Sequence, residues 1–476
     1  MDTPTGTNRT NRTSRTSGGD PAPEAVAWAA SGMMALTGRA GGPPLGAPTA
    51  LVGGAWRLAG DIARHSGRLG CPVVVDPLAL MAERAAVSGL RRAGTVSCGG
   101  GTHLLRARDG WVAVTLARET DWELVPALLE LTSAVDTGNW GTVASGVAGR
   151  RAEGLRDRAA LLGLPLAVLG ERAPSGGRPG AGTGSDGLAG TAVGVRSRRL
   201  RRAGALGSLD RLEVVDLSSL WAGPLVGRLL VQAGARVVKV ESPDRPDGSR
   251  RGDPRFGHLM NAGKESVAVD MATPAGRRRL VRMVGCADVV ITASRARALD
   301  QLGLDVDALV REGRPRLWLR ISGYGSSGPS SERVAFGDDA AVAGGLVAWD
   351  GTTPCFCGDA IADPLCGLAA AAAVFTALAD DGAWVVDASM ADVAGGMTGD
   401  PFDVDGLEPA DPRPPDPPGP GGPRWTGLGA DTATVVRRWG LDRPRGPSPP
   451  PPGPSPEQPA GRRMGRDGVP FGTLRE

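Results

Sequence analysis

The stretch GDAIADPLCGLAAAAAVFTALA, from Gly358 onward, sets an aspartate against a long run of small apolar residues. A helix starting there has Asp363 directly before it and Pro364 at its first position, where a missing N–H is harmless. The free amides and dipole of a helix N-terminus keep such a carboxylate ionised, as a nucleophile must be. Aspartate before proline is equally a good N-cap, and the local residues leave both roles open. A second feature is the turn Ser218-Ser219-Leu220-Trp221-Ala222-Gly223-Pro224 behind an apolar strand. Its amides and the following helix N-terminus suit a phosphate or a developing oxyanion; tight strand–helix packing explains Ala222 and Gly223 as well. Histidine occurs only at His65, His103 and His258. The stretch AFGDDAAVAGG (335–345) therefore lacks a histidine, the side chain whose unperturbed pKa suits a general base near neutrality, and Asp338 and Asp339 read as a loop or helix-start pair. Of the six cysteines, only Cys355, Cys357 and Cys366 lie close together. With no second pair and no nearby histidine this is a poor zinc pattern, so no metal is expected and the thiols read as buried and free.

These residues need elements to position them. VVDL (214–217), RVVKVE (236–241), SVAVDM (266–271), ADVVITA (287–293) and RLWLRISGYG (316–325) read as buried strands. Helical patterns such as PAGRRRLVRMVGC lie between several of them. The alternation predicts an α/β fold, a parallel sheet with helices on both faces. Such sheets bind ligands at the carboxyl ends of their strands, which directs attention to the loops after Leu217, Glu241, Ala293 and Ser322. The chain divides into a polar tail (1–24), a globular segment (25–170), a Gly/Ser/Arg-rich linker (171–210), the α/β unit (211–400) and a Pro-rich tail (401–476) with one short helix over Trp425 to Gly440. The basic run Arg196 to Arg202 reads as a solvated, disordered charge run. Hydrophobic content of 41% and charge of 22% are ordinary for a globular protein, and a net charge of +3 argues against nucleic acid or membrane as partner. No stretch approaches the roughly 20 apolar residues of a membrane helix. The opening TNRTNRTSRTSGG lacks the apolar core of a secretory signal, so the expected location is cytoplasmic.

An internal repeat is present. One gapless offset matches Pro43 with Pro354, Val74-Val75 with Val385-Val386, and Asp76 with Asp387. The same offset sets Val52 where the second copy has Asp363. One copy carries a carboxylate where the other carries an apolar side chain.

The opening strand, AGP turn, helix and VVKVE (Val214 to Glu241) resemble the start of the family III CoA-transferases, a group that includes α-methylacyl-CoA racemases. So do N-x-GK-x-S-x-x-x-D (Asn261 to Asp270), ISGYG-x-x-GP (Ile321 to Pro329) and GDAIAD-x-x-x-G (Gly358 to Gly367), in the family's order. The resemblance implies a Rossmann-like domain plus a smaller α+β domain. The family's small domain follows the large one; here GGGTHLLRARDGWVAVTLARETDWELVPALLE (99–130) and LLGLPLAVLGE (161–171) resemble it ahead of the large one. The first two hundred residues thus read as a degenerate second-half copy joined to a first half with an intact nucleophile region.

The resemblance also implies roles. Asp363 attacks the acyl-CoA thioester, giving an acyl-aspartyl anhydride and CoA thiolate. Gly99, Gly100 and Gly101 form a loop that closes over the acyl-enzyme and excludes water. Ser219, Leu220, Trp221, Ala222, Lys264 and Arg295 fall on motifs that contact CoA, which is substrate here, with no permanently bound cofactor. This chain departs from the pattern at Trp221 (often glutamine), Ala293 (often asparagine) and Gln301 (often arginine). The racemase branch uses a histidine that AFGDDAAVAGG lacks. The expectation is an acyl-CoA:carboxylate CoA-transferase, a homodimer and possibly an interlocked one. The alternative is an inactive CoA-binding relative or partner subunit. A nicotinamide oxidoreductase lacks its G-x-G-x-x-G after Leu217.

Overall fold

The computed structural model describes residues 21–173, 188, 192–415 and 422–442. Strands β1 (Thr102–Arg106), β2 (Trp111–Thr115) and β3 (Leu166–Val168) form a small antiparallel sheet. Val112, Val114, Trp122, Leu128, Val143, Leu155 and Leu166 fill a core of its own. Strands β4 (Val195–Arg202), β5 (Glu213–Asp216), β6 (Arg236–Glu241), β7 (Glu265–Ala268), β8 (Val289–Thr292), β9 (Leu317–Ser322) and β12 (Gly382–Ser389) form a seven-stranded sheet in the order β4-β12-β9-β8-β5-β6-β7. A hairpin of β10 (Val347–Asp350) and β11 (Thr353–Phe356) leads to the helix carrying Asp363. All neighbours in the large sheet are parallel except β4 against β12. The strand order reverses between β5 and β8. The loops after those two strands, which hold Trp221 and Arg295, therefore flank the crevice where open α/β sheets bind ligands.

Helix Ala362–Leu378 is apolar all round and buried on nearly every side, as a helix without a polar face must be. It packs against helix Thr49–Arg68, helix Ala222–Gln232 and strand β12. The offset of the internal repeat overlays helix Thr49–Arg68 on helix Ala362–Leu378, so the two copies meet through the same helix. Val52, the counterpart of Asp363, is only 2% exposed among Leu51, Ala55 and Leu58. A carboxylate there would be buried among apolar groups, at a cost of several kcal/mol. The repeat's strand does not survive: residues 71–76 carry no strand, and Val74 is 81% exposed. Val385-Val386 form a strand because β9 and β4 lie on either side; Val74-Val75 have no sheet to join.

The basic run is not a disordered linker. Val195–Arg202 is the edge strand β4, with Arg198 paired to Asp307 at 2.7 Å, Arg199 paired to Asp381, and Arg201 donating to Val310 O at 2.9 Å. Charged side chains suit an edge strand because they discourage further pairing. The carboxylates that accept them lie more than a hundred residues away. The Pro-rich tail is likewise partly ordered. Phe402, Val404 and Leu407 pack on the main core, and Ala410 N donates to Ala29 O at 2.9 Å. The short helix is Thr432–Arg438. It covers the other edge of the sheet: Ser266 N donates to Asp431 Oδ2 at 2.8 Å and Ala268 N to Thr432 Oγ1 at 3.0 Å, which satisfies the outward amides of β7. Of the tail read as 1–24, residues 1–20 lie outside the described residues, while Pro23–Ala30 is a helix. Linker residues 174–187 and 189–191 also lie outside the described residues, as do 416–421 and 443–476.

Candidate active site

The turn after β5 is built on buried charge. Lys264 Nζ, fully enclosed, donates to Asp216 Oδ2 at 2.9 Å, Pro224 O at 2.8 Å and Asn261 Oδ1 at 3.0 Å. Lys239 pairs with Asp247 at 2.7 Å and donates to Ser218 O. Asp247 Oδ1 in turn accepts from Leu220 N at 3.0 Å and Ser249 N at 2.9 Å. These bonds hold Leu220 at φ 69°, a conformation L-residues rarely adopt unaided. Burial pushes the Asp216 carboxyl up, but Lys239 and Lys264 outweigh it and hold it at about 2. Burial lowers Lys264 to about 8 against the pull of Asp216. Lys264 therefore lies beneath the turn with its ammonium enclosed by three protein acceptors and away from solvent, which corrects its reading as a CoA contact. The motif lysine was legible; Lys239 and Asp247, its partners in function, were not.

Asp363 is the second residue of helix Ala362–Leu378, and Ile361 holds the cap position. The N-cap reading is thereby replaced: the helix begins one residue before Asp363, and Pro364 still falls in the first turn, whose N–H groups have no helical acceptor. Asp363 N donates to Ala360 O at 2.9 Å, and Ala360 has φ 44°. Its carboxylate is partly buried, next to the Gly337 amide. A Cβ at Gly337 would lie 2.3 Å from Ala360 O and 2.5 Å from Asp363 Oδ2. Gly337→Ala is therefore expected to push the 360–363 turn aside and cost about 1–3 kcal/mol, measurable as a lower urea midpoint.

Three further groups converge on this turn. Asp338 Oδ1 accepts from Ala360 N at 3.0 Å. Asp359 is 0% exposed and is clamped through both oxygens by Arg84 of helix Pro77–Ser88, Nε to Oδ2 at 2.7 Å. The Arg84 guanidinium also sits 5.5 Å from the centroid of the Trp221 ring. A Cβ at Gly99 would lie 3.4 Å from Arg84 Nη2. Arg84 is thus the hub that brings together Asp363, Trp221 and the Gly99–Gly101 loop, which come from three distant parts of the chain. No motif announced it. Asp359 was visible inside GDAIAD without a role.

Burial pushes Asp363 up to about 7; Arg84 and the Gly337 amide oppose, while Asp338 and Asp359 add to the rise. The expectation that helix amides alone keep it ionised is corrected: they lose to burial and two neighbouring carboxylates. Burial likewise raises Asp338 to about 6, with Asp359 adding and Arg84 opposing. Asp339, 0% exposed, accepts from Phe336 N at 2.8 Å and Thr115 Oγ1 at 3.1 Å, and burial raises it to about 8. The helix-start reading suits Asp339, whereas Asp338 turns to the Asp363 cluster.

Trp221 is 2% exposed, packs edge-on to Phe256 at 5.2 Å, and its Nε1 has no hydrogen-bond partner among the described residues. Ser219 and Leu220 are exposed beside it, and Ala222 is buried in the helix start. Arg295 is exposed at the end of β8 and donates to Glu332 O at 3.3 Å, with no contact to the Arg84 cluster. Cys355, Cys357 and Cys366 are buried free thiols. Among the described residues no three His, Cys, Asp or Glu side chains gather as a metal set, and no helix is long and apolar enough to cross a membrane.

Residues 209–419 match the CoA-transferase family III. A succinyl-CoA–D-citramalate CoA-transferase of Chloroflexus aurantiacus is 31% identical over 180 residues, 36% of this chain and 45% of that protein. A succinate–glutarate CoA-transferase of Agrobacterium fabrum is 32% identical over 187 residues, 36% of this chain and 46% of that protein. A crystal structure of a CAIB/BAIF family protein from Brucella suis shares 32% identity over 40% of this chain and 54% of that one, with a TM-score of 0.37. The chain matches less than half the length of these curated relatives. The family match covers every strand of the large sheet except β4, together with the helix that carries Asp363, and in that segment the chain is similar to CoA-transferase family III.

Proposed function

We propose that this protein transfers CoA between an acyl-CoA and a carboxylic acid through a covalent acyl-aspartyl anhydride on Asp363. The observation that carries this reading is the setting of Asp363: a partly buried carboxylate in the first turn of a helix, beside the Gly337 amide and the Arg84 guanidinium. The matched relatives are named as CoA-transferases, which supports the reaction class. Asp363 attacks the thioester carbonyl, the C–S bond breaks, and CoA leaves as thiolate. Thiolate then attacks the aspartyl carbonyl of the anhydride, which releases the first carboxylate and leaves an aspartyl-CoA thioester. The incoming carboxylate displaces thiolate from it to give a second anhydride, and thiolate attack on the new acyl carbonyl releases the product acyl-CoA and frees Asp363. Binding of a thioester displaces water and brings the carbonyl within reach of an aspartate already fixed by its turn. Gly100 holds a left-handed φ of 76° that glycine favours, and in this reading the loop beside Arg84 closes over that intermediate. Ser219, Leu220, Trp221, Ala222 and Arg295 line the carboxyl end of the sheet where CoA lies in this reading.

The test is intact-protein mass spectrometry after incubation with a panel of acyl-CoAs, trapped with hydroxylamine or borohydride. A modification mapped to Asp363 and missing from Asp363→Ala supports the transferase. CoA binding without any adduct across the panel points to the inactive relative, and absence of CoA binding sinks both readings.

A further inference from the structure

The family match begins at residue 209, yet the cation beside Asp363 comes from helix Pro77–Ser88. We propose that Arg84 is a positioning residue of the catalytic site, fastening Asp359 and thereby the turn that presents Asp363, and supplying the positive charge that the nucleophile faces. The inference rests on the reading of Asp363 as nucleophile.

Asp359 has no exposed surface, and Arg84 engages both of its oxygens. A buried carboxylate without its cation is destabilised by several kcal/mol. Asp359 directly precedes Ala360, whose backbone N–H is held by Asp338 and whose carbonyl accepts from Asp363 N. Movement of Asp359 therefore moves the nucleophile's own turn. The charge balance points the same way. Asp363 is faced by Asp338 from helix Gly337–Gly344, Asp359 from its own turn and Arg84 from helix Pro77–Ser88. Cys366, on its own helix, and Cys98, beside Asp359 and Asp338, are thiols that burial pushes well up, so both stay neutral. Three carboxylates thus share one guanidinium. Removing it leaves two negative neighbours unopposed, and the third carboxyl keeps its proton to higher pH.

The Arg84 guanidinium lies 5.5 Å from the centroid of the Trp221 ring and next to Gly99, which places it between the β5 turn and the glycine loop. A planar guanidinium can hold a bidentate carboxylate and lie on an aromatic face at once, which an ammonium cannot. The residues ahead of the matched segment therefore complete the site within one chain.

The experiment titrates Asp363 in the full chain by carboxyl-carbon NMR of labelled aspartate, assigned by its loss in Asp363→Asn, and follows adduct formation at the same pH values. In Arg84→Gln the Asp363 midpoint is expected to rise by about one pH unit, leaving about fivefold less ionised carboxylate at pH 7. Adduct formation falls in proportion at pH 7 and recovers toward pH 9, and Arg84→Lys restores most of the midpoint. Asp359→Asn, which frees Arg84, moves the midpoint the other way and carries the test if Arg84→Gln does not fold. An unchanged Asp363 midpoint in the folded variants, with only a lower melting temperature, overturns the proposal. Shifted midpoints with no adduct in any protein, wild type included, uphold Arg84 and overturn the chemistry assigned to Asp363.

Discussion

Replacing Lys264 with methionine is expected to lower the unfolding free energy by about 3–5 kcal/mol, the usual cost of breaking a buried ion pair from one side. Lys264 is 2% exposed and its ammonium makes three hydrogen bonds, one of them to a carboxylate that is itself 0% exposed. Methionine fills similar volume but strands the second oxygen of Asp216 and two further acceptors in the interior. Asp216 also accepts from the amide of Ser218, so the loss propagates to the turn that holds Trp221. The measurement is a urea titration, in which the midpoint falls while the slope stays constant. Adding Asp216→Asn to Lys264→Met should recover part of the loss, because the two sites are directly coupled. Wild-type stability in Lys264→Met with weakened CoA binding would show that the lysine serves the ligand after all.

Asp363→Asn is expected to abolish adduct formation and yet stabilise the protein at pH 8. The carboxyl rises from 3.8 in the unfolded chain to about 7 in the fold. Between those values the folded state holds a proton that the unfolded state has released, so the stability of the wild type falls as pH increases from about 4 to about 7. Full ionisation of a carboxyl displaced that far corresponds to about 4 kcal/mol. Asp363 is only partly buried, so solvent screening reduces this to ~2 kcal/mol. Asparagine matches the protonated acid in shape and never ionises. The two proteins should therefore melt together near pH 4, separate as pH rises toward 7, and keep a constant difference above it, with the variant higher. A variant no more stable than wild type at pH 8 would mean that ionised Asp363 is well solvated and that Arg84 has little to oppose.

What could be read without the structure followed from local rules. Apolar runs bounded by small residues located β6 to the residue and β5, β7, β8 and β9 to within three residues at either end, because the burial of a parallel strand is written into its own side chains. Asp363 stood out because its neighbours form a motif and a helix start together. The internal offset singled out Val52, since one copy's carboxylate is the other's core residue. Arg84 carried no such signal. It meets Asp359 across 275 residues, and nothing near Arg84 marks that partner. The same limit hid β4, whose arginines look solvated until the strand lies beside β12 and their carboxylates come into range. It also hid the enclosure of Lys264, a turn lysine by spacing and a core cation by packing. Hydrophobic period, caps and turns act over a few residues and are fixed by sequence. Which charges meet, which are stripped of water and how far a carboxyl's proton affinity moves depend on segments the chain brings together only on folding.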